Sequence, residues 1–280
     1  MGKPMALHLV KVGYSVSVNN RTKNKAQEHI DLGCRWYDTP AEVAANSDIL
    51  FTIIGMPEDV EAVYFGETGV FKTVRAGTIL VDMTTTKPSL AVKIFNEAQK
   101  RGCTSVDAPV SGGEVGAING ALSIMIGGEK EVVDSLMPVF DVFGKNMVYQ
   151  GPAGSGQHTK MCNQITIAGT MIGVCESLVY GRKAGLDLNT MLQSISSGAA
   201  GCWSLDVLAP KVINEDFNPG FMVDHFVKDL GIALEEAEAL KLSLPGLALA
   251  KQMYLSLQAH GQGRDGTQAL YQVIEKLSGM

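Results

Sequence analysis

Lys160 stands in Gly154-Ser155-Gly156-Gln157-His158-Thr159-Lys160-Met161-Cys162-Asn163-Gln164, where a glycine-rich turn opens a long apolar helical pattern. Burial depresses a lysine pKa toward neutrality, and an amine tuned that way can give or take a proton during turnover. Gln164 follows four residues later and projects from the same helix face. The plain alternative is an exposed first-turn lysine with its stem lying on the surface.

Other segments carry candidate ligand contacts. Asn19-Asn20-Arg21-Thr22 closes a strand pattern without an acid. A carboxylate there would accept from the ribose 2′-OH of NAD, whereas arginine pairs with the 2′-phosphate of NADP. An ordinary polar turn is the alternative. Asp82-Met83-Thr84-Thr85-Thr86 ends another strand pattern, and its hydroxyls suit a ribose or a helix cap. Asp107-Ala108-Pro109-Val110-Ser111-Gly112-Gly113 exposes backbone N–H groups able to nest a carboxylate, or is a plain turn. Lys228-Asp229 is expected to open a helix, either as a cation over a ligand or as a solvated ion pair. The five histidines show no metal-ligand spacing, and His225 is read as structural.

These residues need elements to hold them. Strand patterns run over Tyr14 to Asn19, Asp48 to Ile54, Thr78 to Asp82, Thr104 to Ala108, Leu122 to Ile126 and Met147 to Tyr149. Helical patterns alternate with them, at Lys3 to Val12, Lys23 to Leu32, Glu58 to Tyr64, Ser89 to Arg101 and Glu129 to Phe143. The alternation predicts a doubly wound, mostly parallel sheet. After Gly151 strand signals nearly vanish. Gln157 to Ala184 reads as one helix, roughly 40 Å long, and Met191 to Ser196, Ser204 to Val212, Val227 to Leu240, Pro245 to His260 and Thr267 to Leu277 follow as helices. The expected division is an α/β domain over residues 1–152 and an all-α domain over 153–280.

Composition narrows the function classes. Of 280 residues 46% are hydrophobic and 19% charged, which supports a filled core. The net charge of −6 provides no basic stripe for nucleic acid or anionic membrane. The five cysteines are widely spaced with no CxxC pair, as for reduced thiols in a cytoplasmic protein. The first residues read neither as a secretory signal nor as a basic, Ser-rich transit peptide.

Taken together and in order, Asp107-Ala-Pro-Val-Ser-Gly-Gly113, Gly154-x-Gly156-x-x-x-Lys160-x-x-Asn163-Gln164 and Val227-Lys-Asp-Leu230 make the chain resemble the β-hydroxyacid dehydrogenase family over essentially its whole length. The resemblance implies a Rossmann-like first domain joined by a long helix to an all-α domain, and a homodimer or homotetramer formed through the helical part. It implies Lys160 as the catalytic lysine, with Asn163 and Gln164 orienting the substrate and Ser111, Gly112 and Gly113 binding its carboxylate. Thr85, Lys228, Met56 and Pro57 match cofactor contacts, and Asn20, Arg21 and Thr22 resemble the NADP-preferring members, with NAD bound more weakly. The departure is at the start. A dinucleotide fold opens with a strand into G-x-G-x-x-G; here Met1-Gly2 already begins the helix, and only Gly2 matches the last glycine. The expectation is a first domain short of that strand and two glycines, with weakened cofactor binding. The reading is an NADP-dependent oxidoreductase acting on a small semialdehyde or β-hydroxy acid. Its alternative is a non-catalytic oligomeric binding protein that keeps the fold, and a third, imine reduction, uses the same architecture.

Overall fold

The computed structural model describes residues 1–280, and the chain divides into two compact units, Met1–Lys160 and Met161–Met280. The first unit alternates as expected. Its elements are α1 (Gly2–Lys11), β1 (Ser17–Val18), α2 (Gln27–Asp31), β2 (Arg35–Trp36), α3 (Pro40–Ala45), β3 (Ile49–Thr52), α4 (Pro57–Phe65), β4 (Ile79–Asp82), α5 (Pro88–Gln99), β5 (Thr104–Asp107), β6 (Val110–Ser111), α6 (Gly113–Ile118), β7 (Leu122–Gly127), α7 (Lys130–Phe140), β8 (Gly144–Gly151) and the start of α8 (Ser155–Lys183). β3, β4 and β5 pair in parallel, while β7 runs antiparallel to β5 and β6 and parallel to β8. Successive residues of β3 and β4 serve opposite faces, as the two-residue strand period requires. Leu50 and Leu80 pack with Val60, Tyr64, Leu90 and Ile94 on one side. Phe51 and Val81 pack with Ile124, Leu136 and Phe140 on the other.

The sheet is divided rather than continuous. β1 and β2 pair in parallel with each other, apart from the six-stranded sheet. Each contributes two residues, none of them fully buried, and neither offers the apolar run that seats β3 and β4 between two helical layers. The helix expected over Lys23 to Leu32 begins as a 3-10 turn, Lys23–Ala26, before α2.

The second unit is helical. From Met161 onward α8 turns Ala168, Met171, Cys175 and Leu178 inward, three or four residues apart, as one helix face requires. They join a core with residues of α9 (Leu188–Ser196), α10 (Ala209–Ile213), α11 (Val223–Ala239), α12 (Pro245–Ala259) and α13 (Leu270–Leu277). Phe226 meets Tyr254 edge to face at 4.9 Å, and the Tyr254 hydroxyl donates to Thr267 O at 2.9 Å. Two expectations are corrected here. Ser204 to Val212 is a π turn, Ser204–Leu208, followed by α10, because Pro210 has no N–H to continue an α-helical ladder. α11 starts at Val223, so Lys228 lies in its second turn and does not open it. Val223 N and Asp224 N donate to Asp265 O and Gly263 O, which fixes the helix start upstream. No helix is long and apolar enough to cross a membrane.

Candidate active site

The parallel register sets Thr52, Asp82 and Asp107 side by side at the carboxyl ends of β3, β4 and β5, the end of an open α/β sheet where ligands bind. All three are buried. Asp82 Oδ1 accepts from Thr52 Oγ1 at 2.8 Å and from Thr84 N at 3.1 Å, while its Oδ2 has no hydrogen-bond partner. Burial pushes the Asp82 carboxyl up to about 6, against the lowering effect of the Thr84 and Thr52 hydrogen bonds, and the neighbouring Asp107 raises it further. Thr84 Oγ1 in turn accepts from Ile54 N at 3.0 Å, which ties the β4 exit to the β3 exit just ahead of Met56 and Pro57.

Asp107 organises the start of α8. Its Oδ1 accepts from Gly154 N at 2.7 Å and its Oδ2 from Gln157 N at 2.8 Å. A carboxylate serving the unpaired N–H groups of a first turn also faces the positive end of the helix dipole. Burial raises the Asp107 carboxyl, and the backbone N–H groups of Gly154 and Gln157 oppose that rise. The two glycines of Gly154-x-Gly156 serve the helix start in different ways, Gly154 by its backbone and Gly156 by a close approach. Gly154 has φ +92°, and a Cβ on Gly156 would stand 2.5 Å from Met125 O and 2.6 Å from Asp107 O.

Lys160 lies in the second turn of that helix and is 7% exposed, so the surface alternative is excluded. Within the second unit, Asn163 Nδ2 donates to Gln164 Oε1 at 2.7 Å, and Gln164 Nε2 donates to Asp229 Oδ2 at 2.6 Å. Lys228 Nζ lies 2.9 Å from Asp229 Oδ1, and both side chains are nearly buried. This pair is not the solvated one that its sequence also allowed. His225 stacks on Phe221.

The remaining candidates are placed less tightly. Ser111 faces Ser123 across the β6–β7 pair, and Gly112 and Gly113 follow with φ of +121° and +63°, leading into α6. Thr85 sits in the turn between the buried Thr84 and Thr86. Met56 is exposed and Pro57 begins α4. Asn20, Arg21 and Thr22 are exposed, and the Asn20 amide reaches only as far as Thr22 O. α1 begins at Gly2 with no side-chain cap, which leaves its first N–H groups for an anion. A Cβ on Gly2 would lie 2.8 Å from Ile53 Cγ2, so glycine lets this helix start press against the end of β3. Both features fit a dinucleotide phosphate. The structure adds Asp82, Asp107 and Gln157 to the residues that shape the site. The available signal is two strand patterns, Ile79–Asp82 and Thr104–Asp107, that each end in aspartate.

Two family models cover the chain. The NAD binding domain of 6-phosphogluconate dehydrogenase matches residues 1–151, and the NAD-binding domain of NADP-dependent 3-hydroxyisobutyrate dehydrogenase matches residues 154–274. A mitochondrial 3-hydroxyisobutyrate dehydrogenase-like protein of Arabidopsis thaliana is 51% identical over 99% of this chain and 83% of its own. The 2-hydroxy-3-oxopropionate reductase of Escherichia coli is 36% identical over 99% of this chain and 95% of its own. Among solved structures, 3-hydroxyisobutyrate dehydrogenase of Mycobacterium tuberculosis with L-serine superposes with a TM-score of 0.89 at 27% identity, covering 98% of this chain and 95% of that one.

Proposed function

This chain belongs to the β-hydroxyacid dehydrogenase family and is an NAD(P)-dependent oxidoreductase, and on that premise we propose that it interconverts a small β-hydroxy acid and its semialdehyde, with NADP preferred over NAD. The observation that carries this reading is Lys160, a buried amine in the second turn of a helix whose start is pinned by Asp107. The nicotinamide cofactor supplies the hydride chemistry when bound. Lys160 gives a proton to the substrate oxygen in the reducing direction and takes it back in the oxidising one. Asn163 and Gln164 orient the carbonyl, and the Asp229 carboxylate that receives the Gln164 amide fixes which way that amide points. Ser111, Gly112 and Gly113 hold the substrate carboxylate, which sets substrate length.

The first N–H groups of α1 at Gly2 receive the cofactor phosphates, and Asn20, Arg21 and Thr22 receive the 2′-phosphate. Met56, Pro57, Thr85 and Lys228 complete its contacts. The protein assembles as a homodimer or homotetramer. Its five free thiols suit the reducing cytoplasm, the location this reading assigns. NADPH absorbance followed with glyoxylate, succinic semialdehyde, tartronate semialdehyde and methylmalonate semialdehyde tests the substrate class. Turnover of at least one is expected, and no NADPH consumption with any of the four overturns the proposal.

A further inference from the structure

Gln157 is fully buried in the first turn of α8, and its side-chain amide is engaged at both ends by one short segment. Its Oε1 accepts from Thr86 N at 3.0 Å, and its Nε2 donates to Thr84 O at 2.8 Å. Its own backbone N–H donates to Asp107 Oδ2. One side chain therefore grips the residues on either side of Thr85 and joins them to the helix that carries Lys160 three residues later. A buried position needed only for packing would take an apolar residue, since an amide is costly to bury unless both its ends are bonded.

We propose that Gln157 is a positioning residue that sets where the Thr84–Thr86 turn presents Thr85 relative to Lys160. This rests on the reading that the turn contacts the cofactor and that Lys160 moves the proton. An amide or, at the same length, a protonated carboxylic acid can accept from Thr86 N and donate to Thr84 O together. A carboxylate cannot donate, and leucine does neither.

The test is the NADP+ dissociation constant of the full chain, measured by calorimetry from about pH 5 to about pH 9. Gln157→Leu is expected to weaken binding about ten- to a hundredfold throughout. Gln157→Glu is expected to bind like the unsubstituted chain at the acid end and to approach the leucine variant as pH rises. Burial close to two carboxylates moves the ionisation of the introduced group up into this range. The ionisable groups joined to Gln157 through this hydrogen-bond network or adjacent to it in sequence are Tyr64, Asp82, Lys87, Asp107, His158 and Lys160. All are present in the unsubstituted chain, so the ratio of variant to unsubstituted affinity isolates the introduced carboxyl. Thr85→Ala serves as the reference and is expected to weaken binding. If it does so while the Gln157→Glu ratio stays flat with pH, the proposal fails alone. If Thr85→Ala binds NADP+ unchanged, the cofactor reading of the turn fails and the proposal with it. A Gln157→Leu chain that melts lower yet binds NADP+ normally makes the residue structural only, which also overturns the proposal.

Discussion

At the ends of β4 and β5 the polar side chains are buried and tied to one another. Asp82 holds Thr52 and Thr84, Gln157 holds Thr84 and Thr86, and Asp107 holds the first turn of α8. Beyond the end of β1, in the same unit, Asn20, Arg21 and Thr22 stand in solvent after a strand of only two residues. The first region is held in place by the fold before any ligand arrives, which is what charge stabilisation in a transition state requires. The second lacks such support, so ordering its side chains falls to the binding energy of the ligand. On the proposed reading, proton transfer draws on the rigid region and cofactor choice on the soft one.

Substitutions in the two regions can break that division. The largest effect is expected from Lys160→Ala, which should lower kcat by about two to four orders of magnitude while NADPH binding, read by fluorescence titration, survives. Near-normal turnover would remove Lys160 from the mechanism. Next is Asp82→Asn. A carboxyl raised by folding from 3.8 to about 6 holds its proton more tightly in the native state. Its favourable contribution is therefore full below about pH 4 and is lost as pH rises through about 6, a difference of about 3 kcal/mol. Urea melts of the variant and the unsubstituted chain should diverge in the variant's favour across that window; parallel pH profiles would show that Asp82 does not titrate there.

Gly156→Ala comes third, with an expected loss of about 1–3 kcal/mol from overpacking against Met125 O and Asp107 O. A thermal melt matching the unsubstituted chain would mean that the strand ends give way more easily than the buried network implies. Arg21→Ala is expected to disturb the fold least, by no more than about 0.5 kcal/mol. It should still lower the preference for NADPH over NADH about ten- to a hundredfold in kcat/KM, as the loss of a charge-assisted contact does. Equal kcat/KM for both cofactors before substitution would sink the role of Arg21.

Legibility from sequence follows the same contrast. The apolar runs of β3 and β4 and the long pattern of α8 can be read directly, because burial on two faces or along one helix stripe leaves a local signature. α3 goes unread although Thr39 and Glu42 form a capping box around Pro40, because six residues are too few for a helical period to show. β2 is missed because two residues carry no alternation, and α6 because it starts inside a glycine pair that reads as a turn. In the site, Lys160, Asn163 and Gln164 stand out through their spacing on one helix. The framework beneath them does not. Asp82 and Asp107 meet through strand register, and Gln157 finds Thr86 at a separation of 71 residues. No local window contains such a pair.

The two amides that donate to Asp107 also have a spectroscopic consequence. Short hydrogen bonds to a carboxylate deshield the amide proton, and burial slows its exchange with solvent. The Gly154 and Gln157 amide resonances should therefore lie well downfield and persist in heavy water. As acid protonates Asp107 both should move upfield together, giving the site a pair of reporters within two turns of Lys160 without any label being added.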